Sequence, residues 1–184
     1  MTSSSTIKTR CSELIGHTPL FELARIGNGS RLLLKLEQFN PTGSCKVRMA
    51  REMVLAAERD GKLKPGGSIV EPTSGNTGSG LALVAIERGY QFTAVVDHHA
   101  SPDKLRAMKA MGVQLVFAEP NGDGPGTVER RRIAAEIAES TGAFWPDQHY
   151  NPNNNRGYDG LAAELADDLK GELHYLIGAV GTGG

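Results

Sequence analysis

The sequence predicts an α/β fold with mainly parallel sheets flanked by helices, in two lobes, and three observations predict it. Short apolar runs bounded by turn residues alternate with longer stretches of helical spacing along the 184 residues. The 23 glycines gather at the ends of those stretches and are not spread as low complexity. Loops that follow the strands are built from Gly, Ser, Thr and Asn, which suits ligand binding at the carboxyl ends of parallel strands.

The elements follow in order. "RLLLKLEQF" (31–39) reads as a strand, because its apolar run is short and bounded. "NPTGS" (40–44) is a tight turn. From Val47 the apolar residues Ala50, Met53, Val54 and Ala57 fall at helical spacing, with Ser44 as the expected cap and Asp60-Gly61 and Pro65 as the stop. "SIVEP" (68–72) is a strand, "TSGNTG" (73–78) a loop, and "SGLALVAIERG" a small-residue helix. "YQFTAVVD" (90–97) is the next strand, and Ser101-Pro102-Asp103 opens a helix with a cap, a proline at its first position and an acid in its first turn. "VQLVFA" (113–118) is a strand, "EPNGDGPG" (119–126) a surface loop, and Thr127 to Ser140 a helix. "AFWPDQHYNPNNNRG" (143–157) reads as a short strand and an Asn-rich loop, and "YDGLAAELADDL" (158–169) as a helix. "ELHYLIGAVGTGG" (172–184) reads as a strand running into a glycine loop, a poor place for a domain to stop, so a fragment or a split protein is expected.

Composition narrows the function. Twenty basic and 21 acidic residues leave a formal charge of −1, which favours neither nucleic acid nor an anionic membrane as partner. Arg130, Arg131 and Arg132 stand among acids and read as a solvated helix face. Cys11 and Cys45 make no disulfide framework and no zinc spacing, and a reducing cytoplasm is the natural setting. The polar start "MTSSSTIKTR" is no signal peptide, and no apolar run is long enough to span a bilayer. His98 and His99 follow Asp97 without a third ligand at useful spacing, so no metal site is expected. Cys45 reads as a packing residue, Phe144 and Trp145 as core, Tyr158 as a residue that could face substrate, and "GDGPG" (122–126) as a plain turn.

Chemistry is suggested by three loops that each follow a strand. In "TSGNTG" small residues let successive amides point at one place, the next helix adds its positive end, and Ser74, Asn76 and Thr77 add side-chain hydrogen bonds; a carboxylate or phosphate suits it. "GAVGTGG" offers Gly181, Thr182, Gly183 and Gly184 in the same way. Lys46 lies at the mouth of a helix, where an ammonium is disfavoured, and a neutral lysine amine attacks aldehydes.

Taken together, these stretches resemble the cysteine synthase/cystathionine β-synthase family of fold type II pyridoxal-phosphate enzymes. "NPTGSCK" (40–46) is similar to that family's lysine motif, "IGHTPL" (15–20) to its N-terminal signature, "EPTSGNTG" (71–78) to its substrate loop, "PDQHYNP" (146–152) to the segment with its substrate-facing Gln, and "GAVGTGG" (178–184) to its phosphate loop. The resemblance implies that Lys46 bonds to pyridoxal 5′-phosphate and is the catalytic base. It implies that Asn76 meets the cofactor's 3′ oxygen and that Gly181, Thr182, Gly183 and Gly184 hold its phosphate. Thr73, Ser74, Gly75 and Thr77, with Gln148, would hold the substrate carboxylate. The implied lobes are 1–46 and 151–184, the incomplete cofactor-holding part, and 47–150, a small mobile part.

The implied activity is β-replacement on an O-activated L-serine, O-acetylserine or O-phosphoserine, by a cytoplasmic homodimer with a small amino-acid substrate. Val47 stands where the family usually has Asp, and "NNNRGYDGLAAEL" lacks the family's usual His and Thr-Thr-Gly. The second departure favours a specialised paralogue making a 2,3-diaminopropionate-type amino acid, while Val47 and the short chain favour a non-catalytic or half-site protein. Rival readings are a β-eliminating serine/threonine dehydratase-like enzyme and a non-catalytic or half-site fragment that needs a second chain. A nicotinamide fingerprint in "GAVGTGG" would need a following helix and an acidic ribose partner.

Overall fold

The structure, a computed structural model, describes residues 7–27, 29–119 and 126–184. Two sheets organise it. β1 (Leu20–Ile26) and β2 (Ser30–Lys35) form an antiparallel hairpin with an irregular register between Glu22 and Ala24. β3 (Ser68–Pro72), β4 (Gln91–Val96) and β5 (Gln114–Phe117) form a parallel sheet in the order β3-β4-β5. The helices are α1 (Lys46–Arg59), α2 (Asn76–Arg88), α3 (Pro102–Ala110), α4 (Gly126–Thr141), the single turn α5 (Asn153–Arg156) and α6 (Asp159–Leu169).

The parallel sheet separates two apolar layers, as the twofold alternation of a strand requires. Ile69, Ala94 and Val96 face α1, α2 and α3 through Ala50, Val54, Leu81 and Met108. Val70 and Val95 face the other way, onto Ala134 of α4 and Trp145. Each large side chain buried this way contributes about 1.5–3 kcal/mol. α4 therefore crosses behind the sheet and returns the chain to the free edge of β3, where Phe144 bridges Ile69 in parallel.

Two glycines set the spacing of α1. A Cβ on Gly80 of α2 would sit 3.0 Å from both Ala50 Cβ and Val47 Cα, and a Cβ on Gly157 would overlap the Met49 backbone. Helix backbones thus approach more closely than any side chain would allow.

Several expectations need correction. The "TSGNTG" loop is shorter than expected, because α2 begins at Asn76. Thr73 Oγ1 accepts the Gly78 amide at 3.0 Å and so serves a first-turn N–H from outside the helix. The cap position of α1 is Cys45, although Ser44 Oγ does accept the Lys46 amide at 3.2 Å. The strand expected over 31–39 ends at Lys35, and Glu37–Phe39 form a 3₁₀ turn because Asn40 folds back on the Glu37 carbonyl. Residues 143–157 contribute one bridge and the helical turn α5, and Pro146 has no N–H with which to extend the ladder. No strand forms over 172–180. Leu176, Ile177 and Val180 are 76%, 89% and 86% exposed, since no described strand edge lies alongside to pair with them. Residues 120–125, most of the expected turn at 122–126, lie outside the described residues.

Candidate active site

The sheet has a point where chain direction reverses. From β3 the chain leaves over one face through α2, while the 144–148 segment reaches the same edge through α4 on the opposite face. Open parallel sheets bind ligands at such switch points, outside the carboxyl ends of the strands. Thr73 to Thr77 and Gln148 are at this one.

Side chains join across it. Thr77 Oγ1 donates to Gln148 Oε1 at 2.7 Å. The Gln148 carbonyl accepts from Asn154 Nδ2 at 2.6 Å, and the same amide donates to Thr182 Oγ1 at 2.9 Å. Gly184 lies against Asn154 and the Tyr158 ring, where an added Cβ would clash. Lys46 Nζ is 3.4 Å from Tyr158 Oη and 5.8 Å from the centre of that ring. Burial, reinforced by Cys45, pushes the Tyr158 hydroxyl well above its ordinary range, so it stays a neutral donor and acceptor. The three loops singled out in the sequence therefore meet through Tyr158, Asn154 and Gln148.

Other expected residues stand differently. Asn76 is exposed, and Gly75 precedes α2 with open space around it. The Ser74 hydroxyl turns to Asp97, donating to Oδ2 at 3.0 Å and accepting from Arg130 Nη1 at 3.0 Å. Arg130 also pairs with Asp97 at 2.9 Å. Arg131 pairs with Asp147 at 2.8 Å and stacks between Trp145 and Tyr150 at 5.0 and 5.2 Å. The solvated face expected for this arginine run holds only for Arg132, which pairs with Glu129 and Glu136 along α4. His98 stacks on Phe117 at 5.1 Å.

Two important residues were missed. Arg48 is 3% exposed and grips Glu37 and Glu164, with four N–H···O contacts of 2.8–2.9 Å. Nothing in its local spacing marked it. Glu71 is fully buried and accepts the amides of Asp147 at 2.9 Å and Gln148 at 3.3 Å. A charge inside the apolar strand "SIVEP" was the available signal.

The family described as "Pyridoxal-phosphate dependent enzyme" matches residues 11–184. The chain belongs to the pyridoxal-phosphate-dependent enzyme family. A Sinorhizobium fredii (strain NBRC 101917 / NGR234) relative, named "Putative cysteine synthase", is 49% identical over 181 residues, covering 97% of this chain and 54% of the relative. Among solved structures, O-acetyl serine sulfhydrylase isoform 3 from Entamoeba histolytica superposes with a TM-score of 0.88 at 34% identity, over 99% of this chain and 56% of the other. O-ureido-L-serine synthase superposes with a TM-score of 0.81 at 38% identity, over 91% and 52%. The chain spans about half the length of the relatives it matches, 54% and 52% for two of them. Among the described residues no helix is long and apolar enough to cross a membrane.

The residues present fit the family's cofactor. Lys46 is a half-buried primary amine, the type of group to which the cofactor's aldehyde would bond. The amides of Gly181 to Gly184 make no backbone hydrogen bond to any described residue and are free donors for an anion. Asn154 Oδ1 is buried without a partner beside that loop, an acceptor still open to a donor.

Proposed function

We propose that this chain carries the catalytic lysine and the substrate grip for pyridoxal-phosphate-dependent β-replacement on an O-activated L-serine, of the O-acetylserine or O-phosphoserine type. The observation that carries the reading is the path from Lys46 to Tyr158, across Gly184 to Asn154, and on to Gln148 and Thr77. In this reading Lys46, Asn76, Thr182 and Gly181, Gly183 and Gly184 hold the cofactor. When bound, it supplies an aldehyde that captures the amino group and a ring that draws off electrons. Thr73, Ser74, Gly75 and Thr77 with Gln148 fix the substrate carboxylate, which orients its Cα–H toward the Lys46 amine. Lys46 takes that proton, and the Tyr158 hydroxyl gives the amine a hydrogen-bond partner at 3.4 Å. Ser74 joins the grip by exchanging its hydrogen bond to Asp97.

The likeness to O-ureido-L-serine synthase, at 38% identity, supports a specialised paralogue, such as one making a 2,3-diaminopropionate-type amino acid, with sulfide, a thiol or an amine as the nucleophile. Residues 47–150 are read as the smaller lobe, supported by the parallel sheet that lies wholly within them. Family likeness supports a cytoplasmic homodimer.

The test is the colour and the turnover of the full chain. With pyridoxal phosphate the protein should absorb visible light, and borohydride should fix the label on Lys46. Lys46→Ala should fold, lose the label and lose turnover of O-acetylserine with a panel of sulfide, thiols and amines by about 10³-fold or more. A protein that stays colourless, or a Lys46→Ala variant with undiminished turnover, refutes the proposal.

A further inference from the structure

Along the edge of β3 the 144–148 segment starts as a ladder. The Val70 amide donates to the Phe144 carbonyl at 2.9 Å, and the Phe144 amide to the Ser68 carbonyl at 2.8 Å. Pro146 then interrupts it, having no N–H to give. Beyond it the Glu71 carboxylate, in place of a backbone carbonyl, accepts the amides of Asp147 and Gln148. Asp147 needs holding, because its φ of +46 is rarely adopted without glycine. Its carboxylate is held from α4 by Arg131 at 2.8 and 3.1 Å. Its carbonyl accepts the amides of Tyr150 at 3.0 Å and Asn151 at 2.9 Å. The Gln148 side chain that leaves this turn meets Thr77 at 2.7 Å.

From this geometry we infer that Glu71 is a positioning residue: its ionised carboxylate clamps the Asp147–Gln148 backbone and so sets the Gln148 side chain against Thr77. The inference deepens the proposed function, resting on the reading of Thr77 and Gln148 as the carboxylate grip. Glu71 acts only through Gln148. Charge explains why the clamp can be switched. Burial drives the Glu71 carboxyl up to about 7, the two amides pull it down, and neighbouring Asp147 pushes it up again. Arg131 stands beyond Asp147 and moderates that repulsion. Protonation puts an O–H where an acceptor is needed, so one amide loses its partner and the turn loosens.

The experiment follows the ¹H–¹⁵N resonances of the Asp147 and Gln148 amides, and of the Gln148 side-chain amide, from about pH 5.5 to 8.5 in the full chain. In the wild type all three should shift with one midpoint near neutrality, and in Glu71→Gln they should be flat. O-acetyl-L-serine, titrated calorimetrically into the cofactor-loaded protein above that midpoint, should bind about tenfold more weakly to Glu71→Gln. Adding Thr77→Val to Glu71→Gln should cost little more, because the contact is already lost. Flat resonances in the wild type, an equal titration in Glu71→Gln, or equal affinity in the two proteins overturns the inference. Should Glu71→Gln fail to fold, Glu71→Asp serves instead. It keeps the charge but draws it back by one methylene, and resonances that still titrate with undiminished amplitude count against the clamp. If the wild type takes up neither cofactor nor substrate, the proposed function falls, while the resonances still decide the clamp.

Discussion

Replacing Arg48 by methionine should destabilise the chain by about 3 kcal/mol near neutral pH. The guanidinium is 3% exposed and satisfies two carboxylates at once, Glu37 and Glu164. Removing one partner from a buried ion network typically costs about 3–5 kcal/mol, because charge is left uncompensated. The lower end applies because Glu164 keeps Lys35 at 2.9 Å, and Glu37 keeps Thr18 at 2.6 Å and Asn40 at 2.9 Å.

The acid side gives an independent magnitude for the same network. Burial alone would raise the Glu164 carboxyl, yet hydrogen bonds from Arg48 and Lys35 hold it at about 2 instead of 4.5. That difference corresponds to at most about 3 kcal/mol of stability, shared among Arg48, Lys35 and the His17 amide. Because the folded value is depressed, this stability is present above 4.5 and is lost as pH falls toward about 2. Glu37 acts in the same direction, burial opposing its charge while Arg48 and Thr18 hold it low. Urea unfolding followed by circular dichroism is the assay. The wild type should lead Arg48→Met by about 3 kcal/mol near pH 7 and by about 1 kcal/mol near pH 3. A gap below about 1 kcal/mol near neutrality, or one that does not narrow in acid, would refute the reasoning.

Gly157→Ala should destabilise more than Gly80→Ala, because its Cβ meets the Met49 backbone while that of Gly80 stands 3.0 Å from Ala50 Cβ and Val47 Cα; thermal melts should rank them in that order, with Gly80→Ala costing about 1–3 kcal/mol. Tyr158→Phe should leave the ultraviolet phenol titration unchanged below about pH 11, since burial keeps that hydroxyl protonated there, and a lost titrating group in the difference spectrum would contradict it.

What the sequence disclosed was local. The periodicity after Val47 marked α1, and the three short runs at 68–72, 90–97 and 113–118 marked the parallel sheet, because twofold and 3.6-fold patterns report a buried face directly. The hairpin β1 was invisible because its side chains are mostly exposed and carry no alternation. The start of α2 at Asn76 was hidden because Asn-Thr-Gly has poor helix propensity, and the first-turn amide that secures it is served by Thr73. The apolar run at 172–180 read as a strand, but a strand requires a neighbour that no local pattern can guarantee. Lys46, Thr77, Gln148 and Thr182 were named from motifs, whereas Tyr158 and Asn154, which join their loops, lie in a stretch whose pattern departs from the family's. The Arg48–Glu164 pair spans 116 positions, a separation at which charge pairing leaves no trace in a single sequence.

These long-range contacts explain how Lys46 is placed. The three residues after it are each buried against a different part of the molecule. Val47 lies on Gly80 of α2, Arg48 reaches Glu37 and Glu164, and Met49 lies under Gly157 at the end of α5. Successive helical residues point about 100° apart, so the three contacts brace the first turn of α1 from separate directions. Two of the three are close approaches of main chain, which side-chain motion cannot relax. The Lys46 side chain itself is half-buried and touches Tyr158. In the proposed reaction that fixed Cα would keep the Lys46 amine aimed at cofactor and substrate. Val47, placed where the resembled family usually has Asp, serves the bracing: fully buried against Gly80, it could not be a carboxylate without a partner there.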